Sequence, residues 1–109
     1  MDKTILLIAT HDTKEDEARF LKSCIEANGF KVLVMDTGIL APPRGKVDIP
    51  QNEVAARAGT PLKKALQRGD KRECTEIMCQ GAARLAMELF DQGRIHGVIG
   101  IGGAQGTEI

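Results

Sequence analysis

Three short polar stretches each follow an apolar run, and their residue types suit phosphate chemistry. The first is "THDTKEDE" at 10–17, the second opens "DTG" at 36–38, and the third is "GGAQGT" at 102–107. Glycines at 102, 103 and 106 permit positive φ and let backbone N–H groups approach a ligand closely. A helix starting there adds free N–H donors and the positive end of a dipole, which together hold anions. Thr107 can offer its hydroxyl to a phosphate or to bound magnesium. Lys14 is a cation in a first helical turn, where it opposes the helix dipole, and a phosphate would give it a purpose. Asp36, at the end of an apolar run, is placed as an acidic residue that accepts ribose hydroxyls in nucleotide-binding folds. His11 is a candidate general base beside Asp12.

Each of these readings has a plainer competitor. Asp12 followed by Glu15 fits a capping box, with Thr13 as a second capping residue. Asp36-Thr37-Gly38 fits a turn. The glycine stretch fits a tight strand-to-helix turn. It is not the dinucleotide fingerprint, because with Gly100 and Gly102 as the first two glycines the third position falls on Gln105. It is not a P-loop either, since no Gly-Lys-Ser/Thr follows. Arg44, Lys46 and Arg57 in the excursion could reach back to a phosphate, but such residues usually form a solvated surface, and His96 lies at the opposite end of its strand from the other candidates.

The elements that must position these groups alternate. "TILLIA" at 4–9 and "KVLVMD" at 31–36 read as short strands buried on both faces. Between them, from Lys14 to Asn28, Ala18, Leu21, Cys24 and Ile25 recur at helical spacing, and Gly29 stops the helix. Residues 38–61 hold two adjacent prolines and read as an irregular excursion of a length that is often functional. "NEVAARAG" and "TPLKKALQRG" add short helices, with Pro61 at a first helical position. Residues 70–92 give the clearest helix. Cys74, Ile77, Met78, Gly81, Ala82, Leu85 and Leu89 form one stripe, Asp70 caps the start, and Gly93 ends it. Gly81 within that stripe reads as a point of close packing. "IHGVIGIGG" is the third strand. The pattern predicts an α/β, Rossmann-like three-layer fold with a partial parallel sheet of order 2-1-3 and helices on both faces. All three polar stretches then leave the carboxyl edge of the sheet, where ligands of such folds bind.

Composition narrows the class. The 109 residues hold fifteen basic and fifteen acidic side chains, no Trp or Tyr and three Phe. Balanced charge argues against a field that steers a protein to nucleic acid or acidic membranes, and aromatic platforms for bases are missing. No apolar run nears the ~20 residues of a membrane helix. Cys24, Cys74 and Cys79 have no metal-type spacing and fit no closed disulfide set, so they read as buried reduced thiols of a cytoplasmic protein, and no metal site is expected. Residues 1–109 read as the N-terminal part of a nucleotide-binding domain, truncated after the third strand. Its open strand edge predicts a homo-oligomer, or docking against the rest of its own chain.

"THDTKEDE", "DTGILAPP", "DIPQNEVAARAG" and "GAARLAMELFDQGRIHGVIGIGGAQGT" occur here in the order found in the ATP-binding domain family named for a plant resistance protein against tomato mosaic virus. The resemblance covers nearly the whole chain. It implies a Rossmann-like domain, within a longer two-domain protein, that binds ATP between strand-end loops. The matching positions are Asp12, Thr13 and Lys14, then Gly38, then Gly102, Gly103, Gly106 and Thr107. The family loop usually reads Gly-Gly-Ser-Gly-Gly-Thr, so Ala104 and Gln105 depart from it, removing a serine hydroxyl and a glycine. The resemblance implies no established reaction. The leading expectation is therefore ATP binding, with or without Mg2+. Two alternatives stand beside it. One is an enzyme acting on a small phosphorylated or carboxylated metabolite, with His11 or Asp12 in proton transfer. The other is an interaction domain whose glycine loop is only a turn.

Overall fold

The computed structural model describes residues 3–39 and 44–101. The chain runs β1 (Thr4–Ala9), α1 (His11–Ala27), β2 (Lys31–Asp36), α2 (Gln51–Arg57), α3 (Leu62–Gln67), α4 (Lys71–Asp91) and β3 (Gly97–Ile101). The three strands form one parallel sheet in the order β2-β1-β3. The expected architecture and strand order are present, and the expected strands and longer helices fall within a few residues of their predicted bounds.

Alternation along β1 divides the core. Leu6 and Ile8 join Met35 beneath α2, α3 and α4, packed on Val54, Leu62, Met78 and Leu85. Leu7 and Ala9 face the other way and meet Ala18 of α1. Successive strand side chains point to opposite faces, so a central strand flanked by two helical layers must be apolar at every position. The third strand departs from that expectation: Val98 is 54% exposed and Ile99 36%. It pairs with β1 on one side only, and no described element covers its flank.

Helix ends follow local rules where the sequence supplies them. Asp70 caps α4, its Oδ1 accepting the N–H groups of Arg72 at 3.0 Å and Glu73 at 3.3 Å. Gly29 and Gly93 take φ of 88° and 73° just past α1 and α4, a conformation cheap only for glycine. Gly81 brings α4 against α2: a Cβ there would lie 1.9 Å from the Val54 carbonyl oxygen. After β2 the chain loops out and returns beside it, pairing Ile49 with Met35 in a parallel bridge. All three cysteines are free thiols. Cys74 alone is buried, and burial, with the charges of Glu73 and Asp70, pushes its pKa up.

Candidate functional site

The carboxyl ends of β1 and β2 carry a buried polar cluster. Asp36 is fully buried. Its Oδ1 accepts the Gly38 N–H at 2.8 Å and the His11 N–H at 3.1 Å, tying the loop after β2 to the start of α1. The His11 ring is buried too, with Nδ1 3.0 Å from the Ala9 carbonyl and 3.5 Å from Asp36 Oδ1. A carbonyl can only accept, so Nδ1 carries the proton. Burial opposes a charged ring. The hydrogen bonds to Asp36 and Ala9, with the charges of Asp36 and Glu15, outweigh that cost and raise the His11 pKa above its usual value.

The acidic residues of "THDTKEDE" correct the capping expectation. The helix begins at His11, its N-cap is Thr10, and no side chain caps it. The Thr10 carbonyl takes the N–H groups of Thr13 and Lys14. Asp12 reaches across instead, its Oδ2 accepting the Ile39 N–H at 3.0 Å. Gly38 leaves room for it, since a Cβ there would sit 2.9 Å from the Asp12 carboxyl carbon. Glu15 is buried on the inner side of α1, where it accepts the N–H groups of Arg44 and Gly45 at 2.8 Å each and the Arg19 guanidinium at 2.7 Å. The Arg44 N–H leads in holding its pKa down at about 2; burial works against this, and the Gly45 N–H and the Arg19 and Arg44 charges add to it. Arg44 is also bound to Asp16 at 2.8 Å, and these acidic partners raise its own pKa. The excursion is therefore clamped onto α1 by carboxylates that lie 27 to 30 residues from the groups they bind.

Lys14 has φ −126° and ψ 24°, outside helical values, so the first turn of α1 is kinked from the rest. Its Nζ lies 3.4 Å from Glu17, an exposed pair of small worth. Thr13 is exposed and Thr37 buried. The Asp36 Oδ2 and Thr37 Oγ1 atoms are buried with no hydrogen-bond partner among the described residues. Residues 102–107, with Gly102, Gly103, Ala104, Gln105, Gly106 and Thr107, lie outside the described residues. The last described residue before them, Ile101, pairs with Ala9. His96, at the other end of β3, takes the Thr4 N–H on its Nδ1 at 3.1 Å. Arg57 bridges to Glu88 of α4, so it is a structural tie. The importance of Glu15 had one signal in the sequence: it lies three residues before Ala18, on the inward stripe of α1.

A family model described as "Uncharacterised protein family (UPF0261) N-terminal domain" matches residues 3–109. The chain belongs to this family. Its relatives include a UPF0261 protein of Clostridium tetani, 32% identical over 109 residues, all of this chain and 27% of the relative. Another, from Brucella suis, is 34% identical over 105 residues, 96% of this chain and 25% of the relative. A third, from Rhizobium meliloti, is 34% identical over 107 residues, 98% and 26% respectively. The chain thus spans about a quarter of the length of the curated relatives it matches. No solved structure matches significantly. Among the described residues no helix is long and apolar enough to cross a membrane.

Proposed function

We propose that this UPF0261 N-terminal domain binds a nucleotide, ATP with magnesium, at the carboxyl edge of its sheet, within a longer protein. The observation that carries this reading is the parallel order β2-β1-β3. The chain leaves β1 toward one side and returns across it to β3, so β1 and β3 flank a topological switch point. The crevice outside the carboxyl ends of such strands is where ligands of doubly wound sheets bind. The first turn of α1 follows Ala9, which pairs with Ile101, the last described residue before the glycine stretch in sequence.

The residues fit the group. Lys14 is half-buried and, among the described residues, paired with the exposed Glu17, so little there opposes its turning to a phosphate. Gly102, Gly103 and Gly106 supply backbone donors, and Thr107 a hydroxyl. No cluster of three carboxylate, imidazole or thiolate groups gathers among the described residues. Magnesium would then enter with the phosphates and keep most of its waters, its usual manner of binding. Asp12, Asp36 and Gly38 hold the loops around the crevice in register. The resemblance to the ATP-binding family supports the same ligand.

The test is isothermal titration of the full-length protein with Mg-ATP. Parent protein should bind, and Gly103→Val should not, because a β-branched residue resists positive φ and its side chain blocks the phosphate. Equal affinities in two folded proteins would reduce the stretch to a turn.

A further inference from the structure

A cavity lies between α1, β2 and the returning excursion. It has a volume of about 310 Å³ and is enclosed by α1, by Val34 of β2 and by Lys46 of the returning excursion. Ala18 and Val34 give it an apolar floor, and His11 and Glu15 reach it from the start of α1. Its wall is cationic, with Arg19 and Lys22 one turn apart on α1 and Lys46 opposite.

The charges do not cancel. Glu15 is matched by Arg19, which gives it one of the five donors of its guanidinium, and by the Arg44 and Gly45 N–H groups. Lys22 is half-buried and Lys46 exposed, and neither forms an ion pair among the described residues. Three cations against one carboxylate leave two positive charges converging on one small cavity. The clamp on Glu15 holds the segment before Lys46 against α1, and Lys22 and Lys46 line the same cavity. The volume sits at the lower end of the ~300–1,000 Å³ typical of ligand pockets, which limits the occupant to a small molecule.

We propose that this cavity is a binding site for a small phosphorylated ligand, its dianionic phosphoryl group held between Lys22 and Lys46 with Arg19 as a third donor. A phosphoryl dianion matches the surplus of two charges, and three directional donors match its oxygens. The site is independent of the nucleotide crevice, which depends on the glycine stretch.

Equilibrium dialysis of the full-length protein with radiolabelled inorganic phosphate tests it, at fixed low ionic strength so that the lysines are not screened. Parent protein should show saturable binding. Lys22→Ala and Lys46→Ala should each weaken it about tenfold, the factor that corresponds to ~1.4 kcal/mol, near the lower end of one hydrogen bond to a charged group. The double variant should show no saturable binding, and Lys63→Ala on α3 should match the parent. Both lysines are at the surface of the cavity, so folding should survive, and circular dichroism checks it. Gly103→Val should keep phosphate binding, which separates this site from the crevice. Parent protein without saturable binding would overturn the proposal. So would a folded double variant that binds as the parent does, or loss of binding in Gly103→Val alone.

Discussion

Asp36 is the residue on which the candidate site turns, and replacing it has a calculable cost. The carboxylate is fully buried, and its Oδ1 receives two backbone N–H groups, from His11 and Gly38, at 3.1 and 2.8 Å. Asp36→Ala strands both donors away from water. An unsatisfied buried donor costs about 1–3 kcal/mol, so the pair sets a loss of about 2–6 kcal/mol. Asp36→Asn keeps an acceptor oxygen at the same place. It exchanges two charge-assisted bonds for two neutral ones, a loss of about 1–3 kcal/mol. Against a typical domain stability of about 5–15 kcal/mol, the alanine variant stands near the limit of folding and the asparagine variant well inside it. Urea denaturation of the chain, followed by far-ultraviolet circular dichroism, measures both. A second readout is the His11 imidazole, titrated by NMR. Burial lowers its pKa and the Asp36 hydrogen bond and charge raise it, so Asp36→Asn should shift it downward. The sign for stability follows. A histidine whose folded pKa lies above its unfolded value stabilises the fold below the unfolded pKa of about 6.5, and that contribution disappears as pH rises through the folded pKa. The asparagine variant should lose this dependence. Two variants within ~0.5 kcal/mol of the parent, the range of ordinary surface changes, with an unmoved His11 titration would refute the reasoning.

Gly81→Ala should gain about 1 kcal/mol of helix propensity and still lose about 1–3 kcal/mol through overpacking. Its Cβ would lie 1.9 Å from the Val54 carbonyl oxygen, and α2 and α4 must part; equal or greater stability in urea would show that the helices shift freely. Glu15 should dominate the acid limb. Its folded pKa of about 2, against an ordinary 4.5, gives stability present above the higher value and lost as pH falls toward the lower one. Glu15→Gln should flatten the stability profile over that window in an acid titration.

The sequence by itself determined what depends on neighbours along the chain. Continuous apolar runs at 4–9 and 31–36 read as buried strands, and the 3.6-residue stripe from Cys74 to Leu89 reads as a helix with one buried face. Asp70 caps α4 and Gly29 and Gly93 end their helices because capping bonds and positive φ are decided within a few residues. Alternation implied a parallel sheet with handed crossovers, and the strands take the expected order β2-β1-β3. What only the tertiary structure decided was where side chains find partners far away in sequence. Asp12 and Glu15 have the spacing of a capping box, and that local geometry competes with any backbone donor the fold brings within reach. The returning excursion brings Ile39, Arg44 and Gly45, and these win because their N–H groups would otherwise be left half-buried without acceptors. His11 likewise read as a candidate general base, and the fold buries it between Ala9 and Asp36. The apolar sequence of β3 could not reveal its half-exposed surface, because periodicity reports which residues seek cover and never which element arrives to give it. The cationic cavity is of the same kind. Arg19, Lys22 and Lys46 are ordinary surface residues in sequence, and they converge only because the Glu15 clamp folds residue 46 back onto α1.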